Sequence, residues 1–402
     1  MSLSKKINKR NGVVIFGAGV VGEVIFEACK MKHISVVAFT DNNINKCSQK
    51  IKGVPVIYPP EILKFYPSVN VIISVSDIQD VVKQLEGMGI VDWLAGVEEI
   101  RNFDFYQYEY SKPIEFVEYA INTAILCQDN FLTPDKIFLR SVDVVNTERC
   151  SLQCRDCSNL MRYYKNPKDI NLNEIIKDID SLCKLVDEIN EFRVIGGEPF
   201  MNAEAHILIK RLADEPKVKK VVIYTNGTIL PRPEQIEIMR NKKILFFITD
   251  YGYLSRSLVA LEKVLKENKI AFYIQKTHDW TDCSVINKHN RTITENDSLF
   301  IKCCSKNTYT LLKGKLYRCP FSANADNLRA VPNFVGDYVD IRSRGVTVKK
   351  MKKIMRHFLL DLPFLSACDY CNGRSFDDPE IIPAVQQFDT RDYVEYFEKE
   401  KI

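Results

Sequence analysis

No apolar run in the chain reaches the ~18 residues of a membrane span, so nothing in its 402 residues predicts a segment crossing a bilayer. Net charge is also scarce: 56 Lys and Arg against 52 Asp and Glu leave +4. That removes any compositional reason to expect nucleic acid or an acidic membrane as a partner. The densest basic run, Lys349-Lys350-Met351-Lys352-Lys353, is interleaved with Met351, Ile354, Met355, Phe358 and Leu359 at helical spacing. Those lysines are expected on the wet face of an amphipathic helix. Internal repeats and low-complexity tracts are absent, which sets aside repeat architectures and biased linkers. The opening Lys5, Lys6, Lys9 and Arg10 imitate an export signal, but Gly17, Gly19, Gly22 and Glu23 break the apolar stretch behind them. Without such a signal, the 13 cysteines are read for a reducing, cytoplasmic compartment, as thiols and metal ligands and not as disulfides.

What is present is an ordinary globular balance, 46% apolar and 27% charged, over a length that suits two or three domains. Residues 13–98 alternate strand and helix, with strands over 13–16, 36–39 and 71–75 and helices over 20–31 and 78–86. This opens a doubly wound α/β sheet. Gly17-Ala18-Gly19-Val20-Val21-Gly22 follows the first strand and begins the first helix, and Asp41 ends the second strand. Such a turn suits a phosphate at a helix N-terminus, and its early end favours a nucleotide or nucleotide-sugar over a whole dinucleotide. Asp41-Asn42-Asn43 with Gly53-Val54-Pro55-Val56-Ile57 resembles the N-terminal nucleotide-sugar-binding domain of bacterial sugar acetyltransferases and related carbohydrate enzymes. Residues 101–135, rich in Tyr and Phe with a helical patch over 116–126, read as a connector.

A second alternating series starts near 137, with strands over 137–145, 192–195, 221–224, 244–248 and 271–274 and an amphipathic helix over 175–189. Five strands with crossover helices predict a parallel sheet, curved or closed like part of a barrel, although a sixth strand is not placed. Loops after such strands gather on one rim. The first carries Cys150, Cys154 and Cys157 as C-x₃-C-x₂-C, the second Gly196-Gly197-Glu198-Pro199, the third Thr225-Asn226-Gly227 and the fourth Thr249-Asp250. Three thiolates on one loop can hold three corners of a four-iron cluster and leave the fourth iron open to a small molecule. Zinc, with a fourth ligand elsewhere, is the competing metal, but its sites usually come as paired knuckles.

These residues together resemble the radical S-adenosylmethionine enzymes. The resemblance implies that Cys150, Cys154 and Cys157 bind a [4Fe-4S] cluster. It further implies that Gly196, Gly197, Glu198 and Pro199, with Asn226, Thr249 and Asp250, hold S-adenosylmethionine. Asp156 stands where the family commonly has an aromatic residue. Farther on, Cys304-x₉-Gly314-x₄-Cys319 and Cys368-x₂-Cys371 resemble the auxiliary-cluster module called twitch, a shortened relative of the SPASM domain, and imply a second [4Fe-4S] site. Lys313-Gly314-Lys315 is its hairpin turn, Cys303 competes with Cys304 as ligand, and zinc is again the rival metal. Cys29, Cys47, Cys127 and Cys183 read as small core residues.

The expected architecture is therefore α/β. A Rossmann-like doubly wound sheet (1–100) and a connector (101–135) precede a partial (β/α)6 barrel (136–295) and a small α+β auxiliary-cluster domain (296–402). The expected chemistry is hydrogen abstraction from a carbohydrate or nucleotide-linked sugar, fed by a flavodoxin- or ferredoxin-type reductant and ending in oxidation of an alcohol carbon. Epimerisation is the alternative, with Cys283 as hydrogen donor. Peptide modification lacks a recognisable peptide-binding module at the N-terminus. A non-enzymatic nucleotide-binding regulator with structural metal is the remaining alternative.

Overall fold

The computed structural model describes residues 12–133, 135–277, 280–375 and 378–397. The basic opening at Lys5, Lys6, Lys9 and Arg10 lies outside them. The chain divides into two units, Met1–Lys136 and Ile137–Ile402, each a mixed α/β structure built on parallel strands.

In the first unit, β1 (Val13–Phe16), α1 (Val20–Met31), β2 (Val36–Thr40), β3 (Lys50–Ile51), β4 (Val54–Ile57), α2 (Ile62–Phe65), β5 (Asn70–Ile73), α3 (Ile78–Gly87), β6 (Trp93–Ala95), α4 (Val97–Ile100) and α5 (Ile114–Phe131) follow in order. The sheet runs β3-β4-β2-β1-β5-β6, parallel except for the short β3. β1 and β5 are buried on both faces, so they read as unbroken apolar runs and not as alternation. One core includes Val24, Phe39 and Ile121, and the other Phe16, Ile73 and Leu85. Helix α5 belongs to the first of these cores, through Val117, Ile121 and Ala124. The stretch that reads as a connector therefore packs within this unit.

The second unit contains β7 (Phe138–Val145), α6 (Leu172–Leu185), β8 (Glu188–Ile195), α7 (Ala205–Ala213), β9 (Val218–Thr225), α8 (Pro233–Ile238), β10 (Ile244–Asp250), α9 (Leu258–Glu267), β11 (Ala271–Lys276), β12 (Trp280–Thr281), α10 (Ile293–Lys302), β13 (Tyr309–Leu312), β14 (Lys315–Tyr317), α11 (Pro320–Asn327), β15 (Tyr338–Asp340), α12 (Val348–Leu360) and β16 (Glu380–Ile381). Its main sheet has the order β11-β10-β9-β8-β7-β13-β14-β15. The run from β11 to β13 is parallel, and the last two strands return antiparallel. The sixth parallel strand is thus β13, beside β7, and it is also the first arm of the hairpin. That hairpin turns on two residues, Lys313 (φ 48°) and Gly314 (φ 81°), both left-handed as a type I′ turn requires.

The two faces of this sheet differ. Val142, Val144, Phe192, Val194, Val221, Ile223, Phe246 and Ile248 join the apolar core with the helices. The alternate positions carry polar groups: Ser141 donates to Glu191 at 2.9 Å, and Arg193 pairs with the buried Asp143 and lies over the Tyr224 ring at 5.2 Å. On α12, Met351, Met355 and Phe358 are buried and Lys349, Lys350 and Lys353 are exposed.

Candidate active site

Because β7 to β10 are parallel, the four expected loops leave the sheet at the same rim. Backbone contact fixes the first two loops together. Gly197 N donates to Thr147 O at 3.0 Å and Glu198 N to Arg149 O at 2.9 Å. A Cβ on Gly196 would lie 2.2 Å from Thr147 O, and one on Gly197 2.1 Å from Arg149 O. The glycines are therefore required by close packing against the base of the cysteine loop, a role additional to exposing backbone to a ligand.

Glu198 is fully buried. Its carboxylate accepts from Thr225 Oγ1 and Asn226 N, each at 2.9 Å, and from Phe200 N at 3.4 Å. Burial outweighs these donors and raises its pKa to about 7. Pro199 begins a short 3₁₀ turn, Pro199–Met201, and its carbonyl accepts from Asn146 Nδ2 at 3.2 Å. Asn226 Nδ2 points to Cys150 Sγ at 3.8 Å and Ser151 Oγ at 3.2 Å. Ser255 Oγ ties the third and fourth loops, donating to Asn226 O at 2.7 Å and Thr249 O at 3.2 Å. Asp250 ends β10 and accepts from Gly252 N at 2.8 Å.

Burial pushes up the thiols of Cys150, Cys154 and Cys157, that of Cys154 to about 11. Holding them as thiolates therefore needs a cation or metal. Tyr251 was not singled out by the sequence, yet burial and the charge of Cys154, Cys157 and Cys150 raise its phenol. Arg162 is buried, with Nε and Nη2 finding no hydrogen-bond partner among the described residues, and it lies within electrostatic range of Asp389, Arg391 and Cys154. Amide donors at Cys150 and Cys154, from Asn226 and Gln386, suit a thiolate-ligated cluster, whose sulfur atoms accept such bonds. Asp156, in place of an aromatic residue, is buried and paired with Arg155 at 2.8 Å and Arg391 at 3.1 Å.

A second cavity is lined by Cys283, Cys303, Cys319, Cys368 and Cys371 with Arg374. Cys304, expected as a ligand, is exposed and does not line it; its backbone N–H is spent on Arg374 O at 2.8 Å. Cys303, at the end of α10, lines the cavity, and the next residue is exposed. Cys319 Sγ accepts from Ser322 N, and Cys371 Sγ from Gly373 N, both at 3.3 Å. The C-x₂-C turn is clamped from two sides. Asp337 accepts from Ser366 N at 2.8 Å and Ala367 N at 2.7 Å, while Arg291 Nη1 donates to the carbonyls of Cys368 and Cys371 at 2.9 Å each. Burial opposes the charge of Arg374, but the neighbouring Cys283, Cys304, Cys303 and Cys371 raise its pKa.

Among the described residues no three His, Cys, Asp or Glu side chains converge closely enough to hold a single metal ion.

In the first unit, Gly17 adopts φ 115°, and a Cβ on Gly22 would lie 2.2 Å from Gly17 O. Gly19 faces open space. Asp41 braces the turn, accepting from Ala18 N and Asn43 N at 2.9 Å and pairing with Lys46 at 2.9 Å.

Two family models match: C2185-like, N-terminal, over residues 9–92, and the Radical SAM superfamily over 144–250. A GTP 3′,8-cyclase of Clostridium acetobutylicum is 31% identical over 97 residues, 23% of this chain and 30% of that protein. One from Clostridium perfringens is 27% identical over 139 residues, 30% of this chain and 42% of its own length. The chain thus spans less than half the length of these curated relatives. Among solved structures, BtrN in complex with AdoMet and 2-DOIA aligns with a TM-score of 0.38 at 13% identity, over 58% of this chain and 93% of that one. The anSMEcpe structure with bound AdoMet aligns at 0.34 and 13% identity, over 53% and 80%. Residues 144–250, which carry the cysteine loop and the three rim loops after it, are a radical SAM domain.

Proposed function

We propose that the chain reductively cleaves S-adenosylmethionine to a 5′-deoxyadenosyl radical and takes hydrogen from a carbohydrate or nucleotide-linked sugar, oxidising an alcohol carbon. A cluster on Cys150, Cys154 and Cys157 would supply the electron for cleavage, and one on Cys303, Cys319, Cys368 and Cys371 would accept the electron released by the substrate. The observation that carries this reading is Glu198, a buried carboxyl set on the rim beside the cysteine loop with Asn226 bridging the two. It is placed to take the ammonium of the cofactor's methionine, with Gly196, Gly197 and Pro199 shaping the turn. Thr249 and Asp250, on the fourth loop, are assigned to its ribose.

Support for a hydroxylated substrate comes from the polar face of the main sheet, with Asp143, Glu191, Arg193 and Tyr224, and from the braced glycine turn of the first unit. In this reading residues 1–100 form a Rossmann-like domain in which Gly17, Gly19, Gly22 and Asp41 receive the nucleotide. Residues 136–295 are a partial (β/α)6 barrel, and 296–402 are a twitch-like auxiliary domain. A flavodoxin- or ferredoxin-type protein is the reductant.

Epimerisation is the second reading, favoured by one observation: five thiols line the second cavity, one more than a four-cornered cluster uses. Cys283 is the surplus thiol and would be the hydrogen donor. The test is anaerobic reconstitution followed by dithionite reduction. Formation of 5′-deoxyadenosine, abolished by Cys154→Ala, is expected; its absence in the wild type refutes the proposal and leaves a metal-containing regulator. Running the reaction in D₂O separates the two chemistries, since deuterium at an inverted carbon excludes simple oxidation.

A further inference from the structure

The last described stretch of the chain runs back across the cysteine loop. Arg155 N donates to Val385 O at 2.7 Å and Gln387 N to Gln153 O at 2.8 Å, and Cys154 and Gln386 form an isolated antiparallel bridge. Arg391 secures the far end, donating to Asp156 Oδ1 at 3.1 Å, to Ser284 Oγ at 3.1 Å and, through its backbone, to Arg162 O at 2.9 Å. Gln386 is the centre of this strap. Its Oε1 accepts from Gln153 N at 2.8 Å, and its Nε2 donates to Ala384 O at 2.7 Å and to Cys154 Sγ at 3.5 Å. Next to it, Arg162 Nη1 donates to Gln153 Oε1 at 2.7 Å while its two other nitrogens stay buried and, among the described residues, without a hydrogen-bond partner.

A buried guanidinium edge without acceptors is unfavourable unless negative charge lies near it. Asp389 supplies the larger part of that charge and Arg391 opposes it; the thiolate of Cys154, with the sulfides it would help to hold, adds to it. A donor on a ligand sulfur withdraws electron density and stabilises the reduced cluster more than the oxidised one, because the reduced form carries the extra negative charge.

We propose that Gln386, carried to Cys154 by the strap and backed by Arg162, is a positioning residue that raises the reduction potential of the cluster held by Cys150, Cys154 and Cys157. This rests on the radical SAM reading of that triplet. Gln386 acts through the Cys154 sulfur, so it sets how readily the first electron arrives.

The test is an EPR-monitored redox titration of the reconstituted full-length protein, with the cluster in question recognised by the change in its signal on adding S-adenosylmethionine. Gln386→Leu removes the donor. Gln386→Glu keeps an oxygen for Gln153 N–H and thus the strap, but loses the donor and adds negative charge. Both variants are expected to lower the midpoint, with roughly a tenfold smaller reduced-to-oxidised ratio at fixed potential, equivalent to ~59 mV for one electron. Gln386→Glu is expected to move it further than Gln386→Leu, and the signal indifferent to S-adenosylmethionine should stay in place. If Gln386→Leu fails to retain iron, Gln386→Glu alone decides. A midpoint unchanged in a variant that retains its iron overturns the proposal. A wild-type protein with no signal responding to S-adenosylmethionine overturns instead the reading beneath it.

Discussion

At the residue scale, Glu198 converts its burial into a dependence on pH. With its pKa raised to about 7, the folded protein keeps a proton that the unfolded chain has already lost between the ordinary carboxylate range and 7. Its contribution to stability is therefore fully present at the acidic end of that window and is lost as pH rises through about 7. Thermal melts of the apoprotein should fall across this range, and Glu198→Gln should flatten that component. A bound ammonium reverses the preference by favouring the carboxylate. S-adenosylmethionine should thus release a proton on binding below pH 7, and Glu198→Gln should weaken binding by about 10- to 100-fold in calorimetry, the worth of a charge-assisted bond. Gly197→Ala is expected to act sterically: its methyl meets Arg149 O, so a loss of about 1–3 kcal/mol in denaturant unfolding should accompany poor iron retention at the first site.

At the element scale, the second cysteine group depends on how a helix end, a hairpin and a short turn are held together. Cys303→Ala should lose the auxiliary iron, about half the total if both clusters load, whereas Cys304→Ala should retain it; iron and sulfide assay separates the two. Asp337→Ala frees two backbone N–H groups of the C-x₂-C turn and should also deplete that site while leaving the first one loaded. Much of this scale is legible in the sequence, because apolar runs mark strand centres and cysteine spacing is local. Strand ends are not. β8 begins at Glu188 and contains the buried Asn190 and Glu191, which make an apolar run appear to start only at Phe192. β13 escapes notice as a member of the main sheet because its partner β7 lies far away in sequence. Asp337, Arg291 and Gln386 are invisible for the same reason, since each acts at a site set by residues far from it in sequence, whereas Arg162 and Tyr251 lie close to sequence motifs that say nothing of their burial. Adjacent Cys303 and Cys304 cannot be separated by spacing, only by where α10 ends.

At the scale of the whole molecule, each unit has its own cores: Val13 to Phe131 in the first, and separate clusters from Ile137 onward in the second. Residues 1–136 are therefore expected to fold when expressed alone, with cooperative unfolding by circular dichroism. If the glycine turn is a working site, that fragment should bind a nucleotide-sugar in calorimetry, and Gly19→Trp should block it without lowering stability, since Gly19 faces open space. A folded fragment that binds none would remove the carbohydrate argument and leave the radical chemistry of the second unit intact.

The strap across the cysteine loop also orders events in time. Gln386 lies 232 positions beyond the Cys154 it bonds, and at ~5–20 residues per second the intervening chain takes on the order of tens of seconds to synthesise. Throughout that interval the three thiols have emerged and nothing has yet closed over Cys154. On the radical SAM reading, an iron–sulfur donor would reach the growing chain in that interval, and the cluster on Cys150, Cys154 and Cys157 would load before the Gln386 contact is made.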